Sequence, residues 1–119
     1  EPDGTMFYTE KEDSLQLGTI KHQTGYIEPP HIHKKKEKII LDVVETLHIV
    51  YGKVAVDFFE DDTKYSEVIL NPGDTALLIE GTHRIRVLES FKGVKVKQGP
   101  YQSIEDDKEF IEVIETDIN

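Results

Sequence analysis

A pair of histidines, His31 and His33, stands directly after Pro29-Pro30 and is the residue pattern best suited to chemistry. Residues two apart on a β-strand point to the same face, about 7 Å apart, so both imidazoles can lean toward one ion. The chain has no cysteine, and any metal must therefore use histidine, carboxylate or water as ligands. A His-x-His pair alone is weak evidence for a metal site, so the surrounding residues matter.

Glutamate, glycine and histidine residues follow the pair at spacings that strengthen this evidence. They are Glu45 and Gly52, seven positions apart, the Pro72-Gly73-Asp74 turn, and Gly81 followed by His83. With Gly25 before the histidine pair, this order resembles the two motifs of the cupin superfamily over about residues 25–101. In that family the first motif supplies two histidines and a glutamate, the second supplies one histidine, and all four project into a jelly-roll barrel.

The resemblance implies a metal held by four side chains, namely His31, His33, Glu45 and His83. Glu37 is a rival of Glu45, because it lies at the more usual distance from His33. We prefer Glu45, since Glu37 lies in a lysine run and is not followed by a strand and a glycine. The second motif departs from the family at Ile79, where proline is usual, and at Val87, where asparagine is often found.

Three neutral imidazoles and one carboxylate suit a divalent transition metal such as Fe, Mn, Ni, Cu or Zn. Such a set leaves up to two positions open in an octahedral shell for water, dioxygen or a substrate. We therefore expect a mononuclear metal site that acts on a small molecule by oxygenation, isomerisation or hydrolysis. Small cupins are often linked to polysaccharide biosynthesis, so the resemblance points to a sugar or sugar-nucleotide derivative.

Two other functions remain open at this point. One is a non-catalytic metal- or carbohydrate-binding module, and the other is a metal-free sugar isomerase that uses histidine and tyrosine as base and acid. A basic run can steer an anionic substrate, although a solvated loop is the simpler explanation; it consists of Lys34, Lys35, Lys36 and Lys38. Many cupins pair through barrel edges, and the resemblance therefore predicts a homodimer.

The segments that must position these residues have the pattern of short β-strands separated by turns. Strand-forming residues are concentrated in segments 15–27, 46–59, 65–70, 75–79, 85–88 and 94–97. Turns are predicted at Gly52-Lys53, residues 60–63 and residues 71–74. Short strands at regular spacing predict an all-β sandwich or barrel, and the resemblance to the cupin superfamily implies that it is a jelly-roll barrel. Residues 34–44 fit either a helix or a strand, and the acidic tail 105–119 fits a final strand, a short helix or a frayed end.

Strand parity predicts how side chains near His83 are divided between the two faces of their strand. Ile85 shares the side of His83 and would line an apolar cavity, whereas Arg84 and Arg86 point to the other face. His48 has the opposite parity from the predicted glutamate ligand, so we expect it to be an ordinary side chain.

The 119 residues fit a single domain, residues 1–119, with a core over about residues 15–101. Twenty-four acidic and 14 basic side chains give a net charge of −10, which repels phosphate backbones and makes nucleic acid an unexpected partner. No segment reaches the roughly 18 to 20 apolar residues of a membrane helix, and the first residues do not resemble a secretory signal. Together with the absence of cysteine, this predicts a cytoplasmic protein without a membrane partner.

Overall fold

A computed structural model of the chain describes residues 2–40, 42–100, 103 and 108–115. Contacts divide the chain into two compact units, Glu1–Asp42 and Val43–Asn119. Every regular element in the described residues is a β-strand, which confirms the predicted all-β class. In this part of the chain there is no helix with the length and apolar character needed to cross a membrane.

The first unit contains one short antiparallel pair of strands, β1 (Gly4–Phe7) and β2 (Gly18–Lys21). Residues 22–40 form neither helix nor strand, and all of them are exposed. The strand predicted over residues 15–27 is therefore wrong outside β2, because the rest of that segment pairs with no described strand.

The described residues of segment 34–44, which fits either a helix or a strand by its pattern, form neither. The lysines between residues 34 and 38 are exposed, and Ile39 is 87 % exposed. A short helix or strand is stable mainly when an apolar face packs against a partner, and residues 34–40 bury no such face.

The second unit contains four strands: β3 (Glu45–Glu60), β4 (Thr63–Leu70), β5 (Thr75–Leu78) and β6 (Thr82–Lys97). β3 is central, with β4 and β5 paired along one edge and β6 along the other, all antiparallel. The separate strands predicted over residues 85–88 and 94–97 are wrong, because β6 pairs with β3 along nearly its whole length and is continuous.

The long central strand bends back on itself. Phe58 pairs with His83, and Glu45 lies thirteen positions before Phe58, a separation of about 43 Å along a straight strand. The side chains of Glu45 and His83 are nevertheless 3.2 Å apart. The pairing of β3 with β6 shifts register at three places within residues 49–54, so the two halves of the sheet fold face to face around these bulges.

The turn predicted at Gly52-Lys53 is wrong, because both residues continue β3 through the bend. Gly52 has a φ of 87°, in the left-handed region that favours glycine. A Cβ atom at this position would overlap the carbonyl oxygen of Ser90 on β6. Glycine is therefore required for the close approach of two backbones, and its presence marks a bulge instead of a turn.

The other two predicted turns are confirmed. Between β3 and β4, Asp61 has a φ of 53°, a left-handed conformation that aspartate tolerates better than most residues. Between β4 and β5, the backbone N–H of Asn71 donates to the Asp74 carboxylate at 2.8 Å, and Gly73 has a φ of 91°. Proline followed by glycine is the residue order of a type II turn.

Apolar side chains from both halves of the bent sheet form one core. Its buried members are Leu47, Ile49, Val54, Val56, Leu70 and Leu78. The pairings among the described strands do not close into a barrel, so the jelly-roll form stays a prediction. In the acidic tail, residues 108–115 contain neither helix nor strand, while residues 105–107 and 116–119 lie outside the described residues.

Candidate functional site

The four predicted metal ligands fall into two pairs, one in each unit. His31 and His33 belong to the exposed part of the first unit, with ring centroids 5.2 Å apart and ring planes at 72°. Glu45 and His83 are in contact in the second unit. Among the described residues, no group of three or more histidine, aspartate or glutamate side chains is arranged to hold a metal. The four-ligand site therefore stays a prediction.

One ring nitrogen of His31 is already engaged. Its Nδ1 lies 2.8 Å from the carboxylate of Glu28 and 3.2 Å from the carbonyl oxygen of Pro29. Both neighbours are acceptors, so a proton on Nδ1 satisfies them and leaves Nε2 as the atom that can bind a metal. Glu37, the rival carboxylate, is exposed in the same irregular segment and belongs to no metal-binding group of the described residues.

Glu45 and His83 form a hydrogen-bonded pair at the ends of two strands. Glu45 begins β3 and His83 is the second residue of β6. The Nε2 atom of His83 lies 3.2 Å from Oε1 of Glu45, and its Nδ1 atom lies 3.3 Å from the carbonyl oxygen of Gly81. Both partners accept hydrogen bonds, so a doubly protonated ring satisfies both and a neutral ring satisfies one. A histidine that exchanges a proton beside a carboxylate is suited to general acid–base catalysis.

The two members of the pair differ in exposure. The side chain of Glu45 is 11 % exposed, whereas that of His83 is 34 % exposed. The second carboxylate oxygen of Glu45 lies 3.7 Å from Nζ of Lys95. The carboxylate is therefore held between an imidazole and an ammonium group, while the imidazole remains accessible to a molecule from solution.

The pair lies in the wall of a cavity of about 500 Å³, a size typical of small-molecule sites. Its lining includes Lys95, Lys97 and Lys108 and the apolar Val43, Ile85 and Phe110. With Arg84 the lining has four cationic groups and two carboxylates, those of Glu45 and Glu109, so it favours an anionic molecule although the chain as a whole is acidic.

Strand register explains why these lysines meet the pair. Lys97 pairs with Glu45, and Lys95 pairs with the core residue Leu47, so both lysines lie on the inner face of β6. The alternation of apolar and charged residues over 94–97 is the sequence signal for them. Their place at the cavity depends on the pairing with β3 and cannot be obtained from that alternation alone.

The parity predicted for β6 is confirmed at Ile85, Arg84 and Arg86. Ile85 packs against the core on the same side as His83. Arg84 and Arg86 bond instead to Asp57, which lies on the other face of β3.

Asp57 is fully buried and is surrounded by three cations. Arg86 donates to its carboxylate at 2.7 and 3.0 Å, Arg84 at 3.1 and 3.0 Å, and Lys64 lies at 3.1 Å. The hydrogen bond from Arg86, with those from Lys64 and Arg84, holds the pKa of Asp57 far below its ordinary value of 3.8, although burial acts in the opposite direction. No motif marks Asp57, and its only sequence signal is a single carboxylate in the apolar run 54–59.

No protein-family model, curated protein or solved structure matches the chain. What the site can do therefore follows from its own residues and their geometry.

Proposed function

We propose that the second unit binds a small anionic molecule and moves a proton on it, as an acid–base enzyme of the isomerase type that needs no metal. The contact between His83 and Glu45 in the wall of a lysine-lined cavity is the observation that supports this function. His83, which is open to the cavity, acts as the base. Glu45 orients the ring and stabilises the imidazolium that forms when the ring accepts a proton.

The reaction is balanced without a co-reactant. His83 removes a proton from a carbon next to a carbonyl group, and the electron pair moves to the carbonyl oxygen as an enediolate forms. The carbon that loses its proton also carries a hydroxyl group. The imidazolium returns the carbon-bound proton to the former carbonyl carbon, while the hydroxyl proton moves to the former carbonyl oxygen, so the carbonyl and hydroxyl groups exchange positions and no atom is gained or lost. Ammonium groups such as that of Lys95 support this step, because they stabilise the negative charge that develops on oxygen.

The cavity lining also supports a class of substrate. The lysines suit a carboxylate or phosphate group, and Phe110 and Val43 suit an uncharged, partly apolar part. A phosphorylated or carboxylated sugar, or a sugar nucleotide, combines both features. Membership of the cupin superfamily and a jelly-roll barrel belong to the same proposal, because Glu45 and His83 both lie on the inner side of a bent antiparallel sheet. A cytoplasmic homodimer is the form in which we propose that the protein acts.

A metal-dependent reaction is the second proposal, and one distance favours it. Two ligand atoms bound to one ion at about 2.1 Å and at right angles are about 3 Å apart, and Nε2 of His83 and Oε1 of Glu45 are 3.2 Å apart. A divalent transition metal would be held by these two residues with His31 and His33, and it would polarise a bound oxygen atom of the substrate.

Hydrogen exchange with solvent tests both proposals. The protein is incubated in D₂O, with and without a chelator, with a panel of aldose phosphates, ketose phosphates and sugar acids, and proton NMR follows the C–H signals next to the carbonyl group. We expect exchange with at least one member of the panel. Replacement of the base by His83→Gln should reduce the rate by about 100-fold or more, and Glu45→Gln by about 10-fold, because the ring loses its orienting partner.

His48→Gln is the matched control, because His48 lies on the same strand as Glu45 but bonds to Oγ1 of Thr75 at 2.8 Å. This variant should exchange at the rate of the unaltered protein. Exchange that the chelator abolishes would favour the metal-dependent reaction, and binding without exchange would favour a non-catalytic module. Equal rates for the unaltered protein and His83→Gln would contradict the proposed base.

A further inference from the structure

Residues 108–115 contribute to two places in the second unit. The first four of them line the cavity that contains the His83–Glu45 pair. Further along, the backbone N–H of Ile114 donates to the carbonyl oxygen of Asp62 at 2.9 Å, and the Glu115 carboxylate bonds to Nη1 of Arg84. A segment without helix or strand is thus attached to the sheet close to its described end.

The site that receives Glu115 is built by residues of the sheet. Arg84 uses Nε and Nη2 to bond Asp57, which is fully buried, and its guanidinium lies 5.1 Å from the centre of the Phe59 ring. These contacts orient Arg84 so that Nη1 is directed to Glu115. Little side-chain freedom remains to be lost when a carboxylate binds there, which favours binding.

The charge balance around Arg84 and the exposure of Glu115 also indicate that the Glu115 carboxylate is an exchangeable ligand. The cations Lys64, Arg84 and Arg86 are balanced by the carboxylates of Asp57, Glu67 and Glu115. Without Glu115 the group carries one net positive charge, beside a cavity of about 280 Å³. The Glu115 side chain is 70 % exposed, whereas Asp57 is fully buried and Glu67, on strand β4, is 38 % exposed and bonds to two cations, so Glu115 is the member that an anion from solution can most easily replace.

We propose that Arg84, oriented by Asp57, is a carboxylate-binding site whose resident ligand is Glu115, and that this contact closes residues 108–115 over the cavity that contains the His83–Glu45 pair. A small carboxylate from solution competes with Glu115 and releases the segment. Arg84 also lines the cavity that contains His83, but its bonding partners, Asp57 and Glu115, differ from those of His83, and this inference is independent of the reaction proposed there.

Limited digestion with trypsin tests the contact, because Lys108 lies within the segment and provides a cleavage point. Mass spectrometry follows the fragment that begins at Glu109. Glu115→Gln should be cleaved about fivefold faster than the unaltered chain, since the ion pair no longer holds the segment closed. Glu112→Gln is the matched control, because it removes the same charge from the same segment at a residue that does not bond to Arg84.

Acetate tests whether the site accepts a carboxylate from solution. At constant ionic strength, replacing chloride by acetate should accelerate cleavage of the unaltered chain toward the rate of Glu115→Gln and leave Glu115→Gln unchanged. Equal cleavage of the unaltered chain and Glu115→Gln in chloride, or cleavage of Glu112→Gln as fast as that of Glu115→Gln, would overturn the contact. Acetate with no more effect than chloride would overturn the carboxylate site.

Discussion

Ionic side chains of the second unit lie on the two faces of the same pair of strands and have different surroundings. On the inner face, Glu45 meets an imidazole and a lysine at a cavity that solvent reaches. On the outer face, Asp57 is buried and fully bonded to guanidinium and ammonium groups. An accessible pair of this kind can exchange protons with a substrate, whereas a buried carboxylate with all its partners present mainly contributes to stability.

Asp57 should make the free energy of unfolding depend on pH in the acidic range. Its pKa is lower in the folded than in the unfolded state, so its contribution is present above the ordinary value of 3.8 and is lost as the pH falls below about 4. Asp57→Asn should reduce the free energy of unfolding at neutral pH by about 3 kcal/mol, because it removes the one buried carboxylate that all three cations share and leaves them with only the exposed Glu67 and Glu115. Urea denaturation at several pH values between about 3 and 7 measures both effects.

The same change at the exposed turn residue Asp61 is the control for Asp57. Asp61→Asn keeps an amino acid that tolerates the left-handed conformation, and we expect its unfolding curves to follow those of the unaltered protein within about 0.5 kcal/mol. If Asp57→Asn lost stability on acidification as steeply as the unaltered protein, the role assigned to this carboxylate would be wrong.

At the level of the strands, the bend in β3 determines which side chains meet. Glu45 and Asp57 are separated by an even number of positions, and a regular strand would place both on one face. The core positions change from Leu47 and Ile49 before the bend to Val54 and Val56 after it, so the bulged region inverts the alternation. The inversion puts the two carboxylates on opposite faces of the sheet.

Two glycine substitutions distinguish the steric overlap of backbones at the bend from the strain of a positive φ alone. Gly52→Ala should lower the free energy of unfolding by about 3 kcal/mol or more, because the new methyl group overlaps the backbone of β6 in addition to the strain of a positive φ. Gly73→Ala should cost only about 1 kcal/mol, since its φ is similar but no atom lies within 4 Å of the added Cβ. Equal losses in urea denaturation would contradict a close approach of the strands at Gly52.

At the level of the whole molecule, the proposed metal ligands come from both compact units. His31 and His33 belong to the first unit, and Glu45 and His83 belong to the second. Each pair has side chains near enough to serve one ion, but metal content is what distinguishes a metal enzyme from the metal-free proton transfer proposed above.

Elemental analysis of the purified protein, beside a His31→Ala/His33→Ala variant, measures this directly. A metal site predicts about one equivalent of a transition metal that is lost in the double variant and below pH about 6, because imidazoles bind metal only when neutral. His22→Ala, in the same unit, is the control and should retain the metal. Metal retained in full by the double variant would exclude these two histidines as ligands.

Residue types and spacing determined by themselves the all-β class and the turns at residues 60–63 and 71–74, whereas Glu45 and His83 were singled out by the resemblance of their spacing to the cupin motifs. These features depend on local preferences and on alternation within one strand, which a sequence displays directly. Gly52 also stands out in the sequence, and we predicted a turn there. A turn and a bulge both use a glycine with a positive φ, so the residue type alone does not distinguish them.

Only the tertiary structure decided that β3 bends, that Asp57 faces away from Glu45, and that Lys95 and Lys97 join the His83–Glu45 pair. Each of these facts depends on which backbone lies opposite which residue, and strand pairing joins residues that are far apart in the chain. A shift of one position within residues 49–54 moves every later side chain of the strand to the opposite face, and that shift is set by the fit of β3 against β6 at Gly52 and not by any local preference.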